Sequence, residues 1–475
     1  MQASRRGDAL WMLSGGLAQA GLAFGANLAL ARLLAPADFG RFALLSAGLA
    51  LFGSLASLRL PTLLLRGAEP TPERLSRLVN ASRFEALLLF AAGLLLLLSG
   101  ALPRGTPLAL WLLLLTQAAQ PLVYAAQALG ERRGHFRPLA RLETLAQISG
   151  HGLALLAAWA GLAEGALALR EAWILGALAL GLSWLGCWPR APWRLPRWSE
   201  LLGLADEARD VWLDGLLESA YARVLTLGAG LVGGETGAGL YHQAMRLAQV
   251  PHQLLQPVAA RLAFNWFARD GARRDATLRH LGRWLAAPLA LCFLLCLLAA
   301  EPLVPWMLGE RWRGAGPLLA ALSGVAAGQS LLSLGKMALL AGRQSVRLLC
   351  ARLFQWTVLL GLLPLAIAAG NLGLFALAVS LSTLLAAGCA VRLALWQNAP
   401  AALALEPHLG DEPAQQSPDS PRTSGPAGEP GPRPTSPPVQ PPNVEASPAA
   451  LPRPLDPAQK SSVSAAHGDR GTGRP

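Results

Sequence analysis

The stretch FEALLLFAAGLLLLLSGAL, residues Phe84–Leu102, decides the fold class of this chain. It contains one acidic residue, Glu85, and no basic residue. A membrane-spanning helix needs roughly 20 mostly apolar residues, and this stretch has nearly that length. The sequence therefore predicts an integral membrane protein rather than a soluble one.

The composition of the whole chain agrees with this prediction. Of its 475 residues, 53% are hydrophobic and 14% are charged, and the mean hydropathy is +0.40. Soluble domains carry about 25% charged residues. The net charge of +12 would suggest nucleic acid as the partner of a soluble protein. Here the arginines lie in short loops between apolar segments, so we predict no nucleic-acid partner.

Twelve apolar segments of this kind can be read along the chain, in two groups of six. The first six are Ala9–Leu30, Phe42–Leu65, Phe84–Leu102, Leu108–Leu129, Leu142–Leu162 and Ala166–Leu185. The second six are Val211–Leu231, Ala238–Leu262, Leu281–Leu298, Leu318–Leu340, Leu348–Ala369 and Leu372–Leu395. The sequence therefore predicts an all-α protein with twelve transmembrane helices.

The loops between these segments alternate in arginine content. Every even-numbered loop from the second to the eighth holds four or more arginines, and the tenth holds two. The odd-numbered loops hold fewer, namely Arg32, Arg41, Arg104, Arg170, Arg311 and Arg313. Cytoplasmic loops are enriched in Lys and Arg. The alternation therefore supports the count of twelve and predicts a multi-pass protein of the cytoplasmic (inner) membrane with both termini in the cytoplasm.

The two groups predict three regions. Residues 1–198 form an N-terminal six-helix lobe, and residues 199–397 form a C-terminal six-helix lobe. Two pseudo-symmetric lobes around a central cavity are common among transporters. At the joint, Trp198–Arg209 is predicted to be a short amphipathic helix at the membrane interface. Residues 398–475 are rich in Pro, Ser, Gly and Ala, which predicts a disordered cytoplasmic tail.

The first loop reads ARLLAPADFGRFAL, residues Ala31–Leu44. Pro36 ends a helix, and Gly40 permits a tight turn into the next one. This stretch, with Arg32, Pro36, Asp38 and Gly40, resembles the first-loop signature of the polysaccharide-biosynthesis flippases (Wzx-type oligosaccharide transporters). Their superfamily also contains the multidrug-extrusion (MATE) carriers and the lipid II flippases. Three further stretches resemble the family, namely Thr236–Tyr241, Trp306–Trp312 and Ala341–Arg343.

The resemblance covers the chain from Ser4 to Gln397 and implies a function. Such a protein moves a lipid-linked oligosaccharide, carried on an undecaprenyl-diphosphate-type lipid, from the cytoplasmic to the outer leaflet. The implied partners are the lipid-linked oligosaccharide, membrane lipid, a polysaccharide polymerase and glycosyltransferases. The resemblance implies no cofactor.

Charged side chains within the predicted spans are candidate substrate contacts. An ionisable group in a membrane costs at least ~2.5–3.5 kcal/mol, so it usually faces a cavity or a partner. Arg59, in the second helix, either lines a cavity or snorkels to the interface. Arg223, in the seventh, either lines a cavity or pairs with Glu218 or Asp214. Lys336, in the tenth, either lines a cavity or lies at the interface.

Two stripes of polar side chains add to these charges. One stripe, on the fourth helix, consists of Gln117, Gln120, Tyr124 and Gln127. The other, on the eighth, consists of Arg246, Gln249, Gln253 and Gln256. The spacing i, i+3, i+7, i+10 places each set on one helix face. Each face either forms hydrogen bonds between helices or lines a lumen that binds sugar hydroxyls. The substrate-pathway candidates are Arg59, Gln117, Gln120, Tyr124, Arg223, Arg246, Gln249, Gln253 and Lys336.

Other functions stay open at this point. The chain shows no Walker A loop, HExxH, GxSxG or paired CxxC motif, so we predict neither an enzyme nor a metal site. A multidrug or cation antiporter of the same fold would have a cavity dominated by acids. A polytopic glycosyltransferase or polysaccharide polymerase would carry a large outer loop. A structural membrane scaffold would not need polar stripes. The cationic residues within the spans favour the flippase.

Overall fold

A computed structural model describes residues 19–57, 60–65, 71–100, 107–189, 191–269, 274–341 and 344–396. Within these ranges the chain is helical and contains no strand. Residues 19–33 form the described part of α1. The first half continues with α2 (Pro36–Ala56), α3 (Leu60–Leu65), α4 (Pro72–Leu98), α5 (Pro107–Arg132), α6 (Phe136–Trp159) and α7 (Glu164–Trp184). The second half contains α8 (Trp198–Arg269), α9 (Arg274–Leu308), α10 (Ala315–Ala321), α11 (Gly324–Ala341), α12 (Ser345–Ala368) and α13 (Leu372–Leu395).

Local sequence explains where several helices begin. Pro36 and Pro72 stand in the first turns of α2 and α4, where a missing N–H costs nothing. The carboxylate of Asp38 accepts a hydrogen bond of 2.9 Å from the backbone N–H of Ala35. At the start of α13, Asn371 Oδ1 accepts from the N–H groups of Gly373 and Leu374 at 2.8 and 3.2 Å. These caps satisfy amides that a helix start leaves unpaired.

The protein is an all-α integral membrane protein. Seven of the described helices are long and apolar enough to cross a membrane, and the pair α10 and α11, bent by 40°, makes an eighth candidate. Each of the twelve predicted segments overlaps a described helix. The count of twelve spans stays a prediction, because the helices at the first, fifth, seventh and eighth predicted segments are not among these candidates.

The predicted seventh and eighth segments form one element, α8, which is interrupted at Gly234. This glycine has φ 63° and ψ −160°, a conformation that suits a residue without a side chain. Trp198–Arg209 is not a separate interfacial helix, because it forms the first turns of α8. Its Leu204 and Ala208 are buried against α3, α4 and α5. The packing of these apolar side chains on neighbouring helices joins this stretch to the span.

The halves meet where α2 crosses α8. Gly40 and Gly239 face each other there, and a methyl group on either one would overlap the backbone of the other helix. Small residues at such a crossing allow two helix backbones to approach closely. The largest cluster of buried apolar residues surrounds this crossing and includes Phe39, Leu45, Tyr241 and Trp312.

Candidate functional site

The Arg223 cavity is a space of about 260 Å³ between α2, α4, α5 and α8. Its polar wall includes Ser54, Glu85, Gln117, Gln120, Tyr124 and Arg223. Four of these six are predicted pathway residues, and they come from helices that are about a hundred residues apart in sequence. Gln120 Nε2 donates a hydrogen bond of 2.8 Å to the hydroxyl of Tyr124. The cavity therefore offers amide, hydroxyl, carboxylate and guanidinium groups to one ligand.

A second space of about 460 Å³ adjoins the first and shares Pro61 and Tyr124 with it. Gln127 lines this space together with Glu131 and Glu143. Gln127 Nε2 donates to Glu143 Oε1 at 2.7 Å. The predicted stripe on α5 thus faces open space along its whole length. The last residue of the stripe, Gln127, already donates one hydrogen bond to Glu143 of α6.

The surroundings of Arg223 are rich in positive charge. Its Nε atom is buried and makes no hydrogen bond within the described part of the chain. Glu171 of α7 interacts electrostatically with both Arg223 and Arg246. The same carboxylate pairs with Arg170, whose Nη2 lies 2.5 Å from Glu171 Oε1. Three arginines therefore share this glutamate. Counted with Glu85 in the cavity wall, three guanidinium groups face two carboxylates, so one positive charge remains in excess beside the cavity.

Arg170 and Glu171 were not predicted as site residues. We counted Arg170 with the loop before the sixth helix, although the predicted sixth segment, Ala166–Leu185, contains it. The loop assignment was wrong, because α7 begins at Glu164. Arg170 is buried in the second turn of α7, and its Nη1 has no hydrogen bond in the described residues. The charges near the start of the apolar segment looked like loop residues. Only the packing of α7 shows that Arg170 is buried and that Glu171, which is 39% exposed, pairs with it.

The Lys336 cavity is a space of about 470 Å³ in the second half, lined by α8, α11 and α12. Lys336 Nζ lies 2.7 Å from Asp214 Oδ2 and 3.1 Å from Glu218 Oε2. Arg352 of α12 reaches the same acids, with its Nη2 3.1 Å from Glu218 Oε2 and its Nε 3.6 Å from Asp214 Oδ1. Asp214 and Glu218 therefore pair with Lys336 and Arg352, and the predicted alternative of a pair with Arg223 was wrong.

The two cavities share one segment of α8 as a wall. Glu218, Tyr221 and Ala222 face the Lys336 cavity, whereas Ser219 and Arg223 face the Arg223 cavity. The spacing i, i+3, i+4 places the first set on one helix face, and the spacing i, i+4 places the second set on the adjacent face. About one and a half turns of α8, from Glu218 to Arg223, thus form a common wall between the two spaces.

The first-loop residues lie away from both cavities and join the halves. Arg41 is the centre of an ion-pair cluster, in which its guanidinium lies 2.6 Å from Asp38, 3.3 Å from Glu164 and 3.3 Å from Glu235. Glu164 belongs to α7, and Glu235 belongs to α8. The cluster therefore links the N-terminal and C-terminal halves beside the crossing of Gly40 and Gly239.

A second set of contacts joins the end of α1 to the last turn of α9 and to the segment that follows it. Arg32 donates to the backbone carbonyls of Trp306 and Met307 at 3.1 Å each. Trp312 Nε1 donates to the carbonyl of Ala31 at 2.7 Å, and its ring packs edge-on against Phe39 with centroids 5.3 Å apart. The cavity residues of α2 begin about ten positions after Gly40, which corresponds to roughly 15 Å of helix.

Cys187 lies outside the membrane-spanning segments, just after α7. Its side chain is fully buried, and Sγ lies 3.5 Å from His135 Nδ1. Burial raises the pKa of the Cys187 thiol, and the positive charge of Arg133 opposes this effect. Within the described ranges, no group of three His, Cys, Asp or Glu side chains is placed to hold a metal ion.

A family comparison covers the first loop, the Arg223 cavity and the crossing of the halves. The sequence profile of a family described as polysaccharide biosynthesis protein matches residues 29–317, which is more than half of the chain. The chain belongs to this family. The assignment agrees with the resemblance seen in the first loop.

Solved structures that share the fold of this chain include a flippase and a multidrug transporter. The lipid II flippase MurJ, in an inward closed conformation, aligns with a TM-score of 0.60 at 10% identity, over 81% of this chain and 87% of that chain. A multidrug resistance MATE family transporter of the MOP superfamily, in an inward-facing conformation, aligns with a TM-score of 0.52 at 17% identity, over 81% of this chain and 97% of that chain. No curated protein sequence matches significantly.

The remaining predicted site residues are placed as follows. Arg59 lies outside the described residues. Arg246, Gln249 and Gln253 of α8 line none of the described cavities, and from that stripe only Gln256 reaches the Lys336 cavity. The structure therefore brings the α5 stripe and Arg223 together, but it does not bring most of the α8 stripe to them.

Proposed function

We propose that this protein moves a polyprenyl-diphosphate-linked oligosaccharide across the cytoplasmic membrane by alternating access. Membership of the polysaccharide biosynthesis family supports this proposal, and so does the fold shared with a flippase and a transporter. The observation that carries it is the cationic excess beside the Arg223 cavity, where Arg170, Arg223 and Arg246 share Glu171. In this proposal the chain acts as a transporter and not as an enzyme.

A diphosphate head group explains the need for such a cavity. Phosphate oxygens form short, charge-assisted hydrogen bonds with guanidinium groups. The attraction between opposite charges is also far stronger in a low-dielectric interior than in water. Arg223 lines the cavity with a buried Nε that has no hydrogen bond in the described residues. It can therefore bind an anion without first losing a protein hydrogen bond at that atom.

Alternating access requires one side to close while the other opens. The crossing of Gly40 and Gly239 and the ion pairs of Arg41 hold the halves together on one side of the cavities. With both termini in the cytoplasm, this side is the outer one. Separation of these contacts, with closure of the cavities behind the substrate, would deliver the head group to the outer leaflet. The lipid tail would stay in the bilayer.

The chemistry of this substrate also defines the neighbouring reactions. Glycosyltransferases must build the oligosaccharide on the lipid diphosphate before transfer. A polysaccharide polymerase must use it afterwards. These enzymes are the proposed partners of the protein.

The proposal is tested by transfer in reconstituted vesicles. A fluorescent polyprenyl-diphosphate oligosaccharide is added, and its accessibility to an external quencher is followed with time. We expect Arg223→Ala to slow transfer by about tenfold or more, because a charge-assisted hydrogen bond contributes roughly 1.5–3 kcal/mol. Arg223→Lys should retain part of the rate. Arg313→Ala, in an exposed ion pair outside the cavities, serves as the control.

The wild type must be compared with empty vesicles over several neutral and acidic sugars. No acceleration for any of them would contradict the proposed substrate. The second candidate, a multidrug or cation antiporter, is favoured by the carboxylates Glu131 and Glu143 in the adjoining space. In that case the vesicles should accumulate an organic cation such as ethidium, and Glu143→Gln should abolish the uptake.

A further inference from the structure

We propose that the Lys336 cavity is a binding site for the uncharged glycan part of the substrate, separate from the diphosphate site at Arg223. This inference rests on the proposed function and assigns the two parts of the head group to two different spaces. The volume of about 470 Å³ lies within the range of roughly 300–1,000 Å³ that is typical of small-molecule sites.

The charges of the Lys336 cavity balance one another. Two acids, Asp214 and Glu218, meet two bases, Lys336 and Arg352, at distances between 2.7 and 3.6 Å. An anion entering this space would compete with these carboxylates for cations that already have partners. Removing one member of a partly buried ion pair is costly. The space therefore favours a ligand without net charge.

The wall carries neutral hydrogen-bonding groups that have no side-chain partner in the described part of the chain. Gln256, Gln329 and Ser333 line the cavity, and none of them forms a side-chain hydrogen bond to the rest of the described chain. An amide offers two donors and an acceptor, and a hydroxyl offers one donor and two acceptors. Sugar hydroxyls are themselves donors and acceptors, so they match this set in a way that an apolar ligand does not.

The position of the cavity fits a ligand with two chemically different parts. Glu218 faces the Lys336 cavity, and its sequence neighbour Ser219 faces the Arg223 cavity. In this proposal one head group reaches both faces of this segment, with its diphosphate beside the net positive charge of one space and its sugar in the charge-balanced other space. The first space has a net positive charge in and beside its wall, which favours an anion, and the second has its charges paired, so exchanging the two parts of the head group would lose these interactions.

The test compares two lipids in the same vesicles. One is a polyprenyl diphosphate carrying a neutral fluorescent pentasaccharide, and the other carries the fluorophore on the diphosphate without any sugar. We expect Gln329→Leu and Ser333→Ala each to slow the sugar-bearing lipid by about five- to tenfold, as the loss of one or two hydrogen bonds requires. Transfer of the sugar-free lipid should stay within about twofold of wild type. Thr357→Val, on the exposed face of α12, is the control.

The outcomes separate the two proposals. Arg223→Ala should slow both lipids, because both carry the diphosphate. Equal slowing of both lipids by Gln329→Leu and Ser333→Ala, or no slowing of either, would overturn the glycan site and leave the proposed function standing. Failure of the wild type to move either lipid would overturn both. A third lipid, with a uronate in place of one neutral sugar, should move more slowly, and faster movement would overturn the argument from charge balance.

Discussion

Asn27 and Gln243 form a buried hydrogen bond between the two halves of the protein, with Asn27 Nδ2 donating to Gln243 Oε1 at 2.9 Å. The residues are 216 positions apart, and both side chains are buried. The remaining atoms of the two amides, Asn27 Oδ1 and Gln243 Nε2, have no hydrogen-bond partner within the described residues. A buried amide held by one bond is stabilised far less than a fully satisfied one. This contact therefore joins α1 to α8 while each of the two amides keeps one atom without a partner in the described residues.

We predict that Gly40→Ala weakens the crossing of α2 and α8. The added methyl group would overlap the backbone at Glu235, and overpacking of this kind costs about 1–3 kcal/mol. The measurement is the thermal unfolding midpoint of the purified protein in detergent. Gly152→Ala in α6 is the matched control, because its methyl group would meet nothing within 4 Å. An equal drop in the unfolding midpoint of Gly40→Ala and Gly152→Ala would show that the crossing can accommodate a methyl group.

Arg41→Gln should destabilise the contact of the halves, because it leaves the carboxylates of Asp38, Glu164 and Glu235 together without their shared guanidinium. Adding Glu164→Gln to Arg41→Gln should recover part of the loss by relieving repulsion. The coupling between the two changes is measured by a double-mutant cycle of unfolding midpoints. Strictly additive losses would mean that the pair does not interact.

Lys336→Met should lower stability by about 1–3 kcal/mol, less than the 3–5 kcal/mol of a fully buried pair. We expect a smaller loss of stability than for a fully buried pair because the side chains of Lys336 and Asp214 are 27% and 24% exposed. The double variant Lys336→Met with Asp214→Leu should lose less than the sum of the single changes. Arg313→Ala, in a pair with both side chains more than 70% exposed, should cost less than about 1 kcal/mol. An equal loss of stability in Lys336→Met and Arg313→Ala would contradict this prediction.

Trp312→Phe should destabilise the protein by about 1–3 kcal/mol, because the carbonyl of Ala31 loses its donor in a buried position. That carbonyl lies in the last turn of α1, where helix carbonyls lack partners within the helix. Trp306→Phe is the control, since its side chain is 75% exposed. Unfolding in detergent measures both variants. An unchanged midpoint for Trp312→Phe would mean that the hydrogen bond contributes nothing net.

The thiol of Cys187 should react slowly with iodoacetamide at pH 8. Burial raises its pKa, so a smaller fraction is thiolate at that pH than for a free cysteine, and the thiolate is the reactive form. The rate should therefore rise at a higher pH than it does for the same cysteine in the unfolded chain. Mass spectrometry of the labelled peptide over a pH series measures this. Identical profiles in the folded and unfolded protein would refute it.

Much of the fold followed from short-range patterns. Apolar length predicted the membrane class, and the spacing of Gln117, Gln120 and Tyr124 predicted a polar face on one helix, which lines the two adjoining cavities. Periodicity is a local property, so a sequence displays it directly. The first-loop signature likewise indicated the family.

The partners of the charged residues did not follow from the sequence. Asp214 lies nine positions before Arg223, yet it pairs with Lys336, 122 positions later. Arg352 was not among the predicted site residues, because one charge near the start of an apolar segment looks like an interfacial residue. Which helix faces which is decided by tertiary packing, as at Gly40 and Gly239, and no single segment encodes it.

The wall formed by Glu218, Ser219 and Arg223 has a thermodynamic consequence. Any displacement of this turn by a ligand in one space must change the other space as well, since the backbone is common to both. If binding on the Arg223 side changes affinity on the Lys336 side by some factor, binding on the Lys336 side changes affinity on the Arg223 side by the same factor. If the proposed substrate is correct, a positive coupling would let the protein discriminate a complete lipid-linked precursor from a bare lipid or a free sugar, because only the complete precursor occupies both spaces.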